Sequence, residues 1–348
     1  MTAGPGRLDF AFHGVRAAVV SGDPECLRLA ETDFALFLTS APSAGEAVVL
    51  EVRLAVGAPP YERVPQGTKP FVHTKDAVVY RFGDVRCYDS GGKALVVYDL
   101  GRGLAEVYSL DRDLLREKCY LLVMTRVGEE LDRRGLHRIH AMGVVHGGRA
   151  VLCLLPSGGG KTTLALSLLE RRDFTLLSEE VPLVSRSGRL FPFPIRIGIV
   201  EGTPLDVPPR FLQPFRRSRH GPKVLIDARF YADQIAEAAD PGIVFLGRRV
   251  DSAEAGITPL SRFRALVALL RSCVVGTELP QLLEYLLRLD LGDVGRQAPI
   301  LWSRLRASIA LVRRSAVYEL RLGPDRKANA KLVADWVARL EPAARLSA

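Results

Sequence analysis

The sequence predicts an α/β protein built on a mixed sheet, and three observations carry that expectation. The first hundred residues hold short apolar strands separated by Gly and Asp turns. The pattern turns helical from Asp111, and a hairpin around residue 146 runs straight into a glycine-rich loop and a further helix. At 348 residues the chain has room for two modest domains. Hydrophobic residues at 48% and charged residues at 25% give a globular composition, which excludes a disordered chain, a collagen-like repeat and a small disulfide scaffold.

The elements follow in order. Residues 47–56 (AVVLEVRLAV) form a β-branched strand, and residues 77–82 and 85–89 flank a Gly83-Asp84 hairpin turn. Residues 94–98 and 105–110 supply two more strands, so the region reads as an antiparallel meander. From Asp111, Leu114, Leu115, Leu121, Leu122 and Val127 recur amid charges until Gly135 ends a helix of about six turns. The domain boundary is therefore expected near residue 111, with a β-rich domain over 1–110 for substrate recognition and a second domain over 111–348. IHAMGVV, a His146-Gly147-Gly148-Arg149 turn and AVLCLLP then make a second hairpin.

Cys26, Cys87, Cys119, Cys153 and Cys273 show no CxxC pair and no His at metal spacing, so buried free thiols are expected, in keeping with a cytoplasmic protein. No apolar run reaches transmembrane length, and the first residues carry no secretory pattern. The net charge of +9 suits an anionic partner, whether a nucleoside triphosphate or an acidic peptide. Nucleic acid is disfavoured, since no reader motif accompanies the basic stretches.

Leu155 to Thr163 (LPSGGGKTT) lies between an apolar strand and a leucine-rich helix, the setting a phosphate-binding loop requires. Ser157, Gly158, Gly159 and Gly160 let backbone N–H groups turn inward around phosphate oxygens, and Thr163 continues into the helix. The helix N-terminus adds partial positive charge. Lys161 would reach the β and γ phosphates of ATP, and the Thr162 hydroxyl would bind Mg²⁺. Leu155 stands where the usual pattern has its first glycine. Downstream, the strand FTLL delivers Ser178-Glu179-Glu180, carboxylates suited to Mg²⁺ coordination and to hydroxyl activation.

The arrangement HAMGVV, hairpin, PSGGGKTTLAL and LLSEEV resembles the HPr kinase/phosphorylase family, whose core is shared with phosphoenolpyruvate carboxykinases. The likeness covers residues 137 to about 340, and the N-terminal region lies outside it. It implies an HPr kinase-like mixed-sheet core. It also implies an ATP- and Mg²⁺-dependent kinase acting on a hydroxyl, most plausibly serine of a peptide or protein, with HPr itself disfavoured as acceptor. The family places a histidine fifteen residues before the first loop position, where His140 stands, and an acid pair where Glu179 and Glu180 stand. The resemblance thus gives Glu179 the base role, Glu180 the metal-assisting role and His140 a catalytic contact. Arg196, in the segment FPFPIR, and Lys223, in PKV, become candidate charge stabilisers. The family's ring-like oligomers make a homo-oligomer an expectation.

Two acid-free basic stretches remain. Val207 to Ile226 reads as a Pro-rich loop able to close over a triphosphate or draw in an acidic peptide, and equally as a solvated surface loop. Gly295 to Tyr318 reads as a helix with a positive surface face containing Arg304, Arg306, Arg313 and Arg314. His13, His73, His137, His146 and His220 form no metal pattern. Two rival functions stay open: a nucleotide-binding module whose chemistry is lost and which recognises a peptide, and a plain NTPase.

Overall fold

The computed structural model describes residues 4–41, 47–65, 67–74, 76–156, 158–203, 206–215, 223–251, 255–275 and 291–345. The chain is α/β with mixed sheets and divides into two compact units. One contains residues 1–131, 200–229 and 280–295; the other contains 132–199, 230–279 and 296–348.

The first unit is organised by a nine-stranded sheet in the order β3-β1-β2-β4-β9-β8-β7-β6-β5. Its strands are β1 Gly6–Phe12, β2 Val15–Ser21, β3 Leu38–Thr39, β4 Val48–Val56 and β5 Val72–His73. They continue as β6 Val78–Phe82, β7 Val85–Asp89, β8 Ala94–Asp99 and β9 Leu104–Ser109. The expected meander is present from β5 to β9, turned at Gly83-Asp84. The expectation of a wholly antiparallel region is corrected, because β2–β4 and β4–β9 pair in parallel. Helix α1 (Pro24–Asp33) supplies the connection that a parallel pair requires between β2 and β4. It starts on Asp23, whose side chain accepts from the N–H groups of Glu25 and Cys26.

Helix α2 (Arg112–Arg133) belongs with this sheet over most of its length. Asp111 caps it by accepting from Asp113 and Leu114, Tyr120 stacks on Phe34 at 5.6 Å, and Arg116 forms a buried ion pair with Asp33. These contacts put the division at Leu131/Asp132, so a cut at residue 111 would strip the sheet of the helix that covers it. The stretch expected as a basic loop instead carries two paired strands of this unit, β17 (Leu212–Phe215) and β18 (Lys223–Ile226), antiparallel with Phe215 opposite Lys223. Arg216, Arg217, Arg219 and His220 lie outside the described residues.

In the second unit a six-stranded sheet runs β13-β11-β12-β19-β21-β20. Its ranges are β11 Met142–His146, β12 Arg149–Leu154, β13 Thr175–Ser178, β19 Asp240–Arg249, β20 Gly256–Pro259 and β21 Ala316–Leu322. The centre, β12–β19–β21, is parallel, whereas β11, β13 and β20 run antiparallel to their neighbours. The mixed sheet expected from the hairpin ahead of the loop is therefore present, and Gly147 and Gly148 turn that hairpin at φ 53° and 77°. Short strands β10 (Leu136–Arg138), β14 (Leu183–Ser185) and β15 (Leu190–Phe191) form a small sheet beside it, and β16 spans Ile197–Val200.

Pleating sends Ala150, Leu152 and Leu154 to one face of β12, where they join Ala265 and Leu269 of α4 (Arg262–Leu269) and Ala307 and Leu311 of α5 (Leu291–Arg313) in one core. Helix α3 (Lys161–Leu169) packs against α6 (Arg326–Arg345), and Trp336 of α6 meets Tyr318 edge-on, with Phe245 next to it. Among the described residues no helix is long and apolar enough to cross a membrane.

All five cysteines are buried and none forms a disulfide. Burial pushes the Cys26 thiol up to about 11 and those of Cys153 and Cys273 up to about 12. Because the thiolate is the nucleophile, iodoacetamide near about pH 8 is expected to leave these three unmodified in the folded protein and to alkylate them in denaturant. Intact-mass analysis checks this; labelling of Cys153 or Cys273 without denaturant would contradict it.

Candidate functional site

Strand β12 ends at Leu154 and the loop begins at Leu155, whose side chain is buried. The place of the missing loop glycine is made good across the sheet: Gly247 of β19 leaves the space that the Leu155 side chain fills. A Cβ at Gly247 would meet Leu155 Cδ2 at 2.6 Å. The remaining glycines are each required, for different reasons. Gly158 and Gly160 adopt φ 74° and 96°, the left-handed region that disfavours a side chain, while a Cβ on Gly159 would meet the Pro156 carbonyl at 2.9 Å. Ser157 lies outside the described residues.

Gly160 is the N-cap of α3, so the chain passes from the loop directly into a helix whose first residues are Lys161, Thr162 and Thr163. The free N–H groups of that first turn face the loop, a setting that favours an anion. Lys161 is buried, and its Nζ donates to the Leu155 carbonyl at 2.5 Å and to the Pro156 carbonyl at 3.3 Å. It also lies 3.0 Å from His140 Nε2. An ammonium has only donors, so this contact needs a neutral imidazole presenting its Nε2 lone pair. The His140 that the family resemblance implies is thus beside the loop lysine. Its backbone N–H, in turn, reaches the Ser272 carbonyl at 3.4 Å.

The Thr162 hydroxyl donates to Glu179 in a short hydrogen bond. Glu179 is buried at the end of β13, which pairs with β11 through Gly143 and Ser178. It is Glu179, rather than Glu180, that stands on the hydroxyl expected to bind Mg²⁺. The Glu180 carboxylate is half-buried and hydrogen-bonds to no described residue, while its carbonyl accepts from Ala141 N–H at 3.0 Å. The alternation of side chains at the end of a strand sends neighbouring acids in different directions, so two adjacent Glu cannot both meet one threonine.

The donors fit a hard cation. A hydroxyl and a carboxylate together are the protein ligands Mg²⁺ accepts when phosphates and water complete its shell. Among the described residues there is no group of three or more His, Cys, Asp or Glu that could hold a metal ion by itself. Arg196 is half-buried immediately before β16. Lys223 opens β18 in the first unit.

One constellation carried no signal in the sequence. His137 Nδ1 lies 2.7 Å from Asp132 Oδ1, and its Nε2 lies 2.8 Å from Ser303 Oγ. Arg304 pairs with Asp132, and Arg186 donates to Ser303 Oγ at 2.9 Å. The Ser–His–Asp order matches a nucleophilic triad in sequence of contacts, but His137 is fully buried and the serine oxygen already accepts from a guanidinium. The group is a buried structural network. The expected surface face of α5 is corrected at Arg304, which points inward because Asp132 compensates its charge.

No family model matches the chain, and no curated protein matches it.

Proposed function

We propose that the chain is an ATP- and Mg²⁺-dependent kinase that transfers the γ-phosphoryl group to a hydroxyl, most plausibly serine of a peptide or protein, on an HPr kinase-like core. The observation that carries this is the meeting, at one end of the loop, of Lys161 with His140 and of Thr162 with Glu179. The loop amides and Lys161 hold the phosphates, and Thr162, oriented by Glu179, presents its oxygen to Mg²⁺. Mg²⁺ supplies neutralisation of charge on the transferring group. Glu180 is the remaining carboxylate and takes the acceptor proton. Neutral His140 keeps Lys161 aligned without adding a second positive charge.

Binding without transfer is the second reading, favoured by the hold of the Leu155 carbonyl on Lys161, which a phosphate must displace. Calorimetry with magnesium and ATP, followed by γ-labelled ATP with serine peptides, separates the two. Heat of binding and label on peptide serine are expected. Heat with label on no acceptor would leave only the binding module, label released as phosphate alone would leave an NTPase, and no heat would overturn both readings.

A further inference from the structure

A cavity of about 610 Å³ opens beside the loop in the second unit, at the C-terminal ends of β12 and β19. That is the position where open α/β sheets take ligands. Leu154, Leu155, Pro156, Leu246 and Gly247 line one wall. The other is α4 and the π-turn after it, through Phe263, Arg264, Val267, Ala268, Arg271 and Ser272.

The helix explains why this wall is built for something. Ala265 and Leu269 point into the core, as a buried helical stripe should. A second stripe, Arg264, Val267, Ala268 and Arg271, follows the i, i+3, i+4, i+7 spacing and faces the cavity. Phe263 adds an aromatic ring that is 73% exposed, a large apolar group left in water. The side chains of Arg264 and Arg271 are exposed and make no hydrogen bond or ion pair with any described residue. No acid is among the described residues that line the cavity; Glu319, on the neighbouring strand β21, is engaged by Arg248 at 2.8 Å and also feels the charge of Arg264.

We infer that this cavity is the acceptor-docking site and that its occupant is an acidic peptide segment, with an apolar side chain seated on Val267 and Phe263 and carboxylates engaging Arg264 and Arg271. The two arginines stand seven residues apart, about 10 Å of helix rise, a spacing suited to acids on either side of an apolar residue. A nucleotide base fits less well, because Ser272 and the two arginines are the lining residues whose side chains can hydrogen-bond, and they leave its edge unread. The volume suits a few residues. Leu155 and Pro156 carry the carbonyls that hold Lys161, and Ser272 holds His140, so a peptide here lies against the phosphate-handling groups. Its role as acceptor rests on the kinase reading; its binding does not.

The test is fluorescence anisotropy with a dye-labelled peptide containing Glu-Asp-Leu-Ser-Leu-Asp-Glu, against the same peptide with Lys at each acid. The unaltered 348-residue chain and the variants Arg264→Glu with Arg271→Glu, and Val267→Arg, are compared. Expected is saturable binding of the acidic peptide alone, weakened at least about tenfold in both variants, with the calorimetric affinity for magnesium–ATP unchanged. Equal binding of the basic peptide, or binding untouched by either variant, would overturn the assignment. Loss of ATP affinity in both variants would make the cavity a nucleotide subsite and overturn it too. Peptide binding without ATP heat would sink the kinase reading and leave the docking site standing; ATP heat without peptide binding would do the reverse.

Discussion

Glu179→Gln is expected to weaken Mg²⁺ activation of phosphotransfer by about 10–100-fold, with most of the rate recovered at high magnesium. Gln keeps an oxygen that can accept from Thr162, so the substitution removes charge while preserving the contact seen for Glu179. The hydroxyl then loses the partner that strengthens its oxygen as a ligand, and the deficit appears as metal affinity. Glu180→Gln is expected to behave differently, lowering the rate about 10²–10⁴-fold with no recovery at high magnesium, because a lost proton acceptor is not replaced by a cation. Initial rates with labelled ATP over a magnesium titration decide between them. Should Glu180→Gln shift the magnesium midpoint while Glu179→Gln stays flat, the two carboxylates have the opposite roles, as the family resemblance alone would assign them.

How much of this site was legible in the sequence depends on how local each piece is. GGGKTT between a strand and a helix is read off consecutive residues, because positive φ and N-terminal helix amides are properties of a few neighbouring positions. The hairpin ahead of it is equally local, closed by Gly147-Gly148. Glu179 and Glu180 could be named as a pair, and the resemblance gave each a role, but which of two adjacent acids meets Thr162 is fixed by how β13 ends against β11. The parallel pairing of β2, β4 and β9 was not legible either: apolar alternation is the same in both directions, and α1 decides the direction. β17 and β18 were hidden by the arginines and prolines around them, for each is four residues long and shows little alternation. The cavity wall on α4 gave no warning, because a short helix with a buried apolar stripe beside a mixed apolar and basic one reads in one dimension as an ordinary amphipathic helix.

Arg304 is the extreme case, since its partner Asp132 lies 172 positions away and nothing near either residue foretells the pairing. Asp132→Asn is accordingly expected to destabilise the second unit by about 3–5 kcal/mol, because it leaves the Arg304 guanidinium buried without its counter-charge. Burial pushes the Asp132 carboxyl up, but the His137 hydrogen bond and the charge of Arg304 outweigh it and hold the group below the ordinary carboxylate range. A depressed native pKa means that this contribution is complete above the ordinary range and is lost as pH falls through the native value, so the difference between wild type and variant should shrink in acid. The chain's two tryptophans, Trp302 and Trp336, both belong to the second unit, so urea unfolding followed by their fluorescence reports on that unit. Ser303→Ala gives the contrast: losing one uncharged member of the network costs about 1 kcal/mol, and phosphotransfer should be unchanged because no reacting group touches it. A double variant, Asp132→Leu with Arg304→Met, removes both charges and should recover most of the stability lost by Asp132→Asn. A loss below about 1 kcal/mol for Asp132→Asn, or a collapse of transfer in Ser303→Ala with stability intact, would show that the network is not the structural clamp its geometry describes.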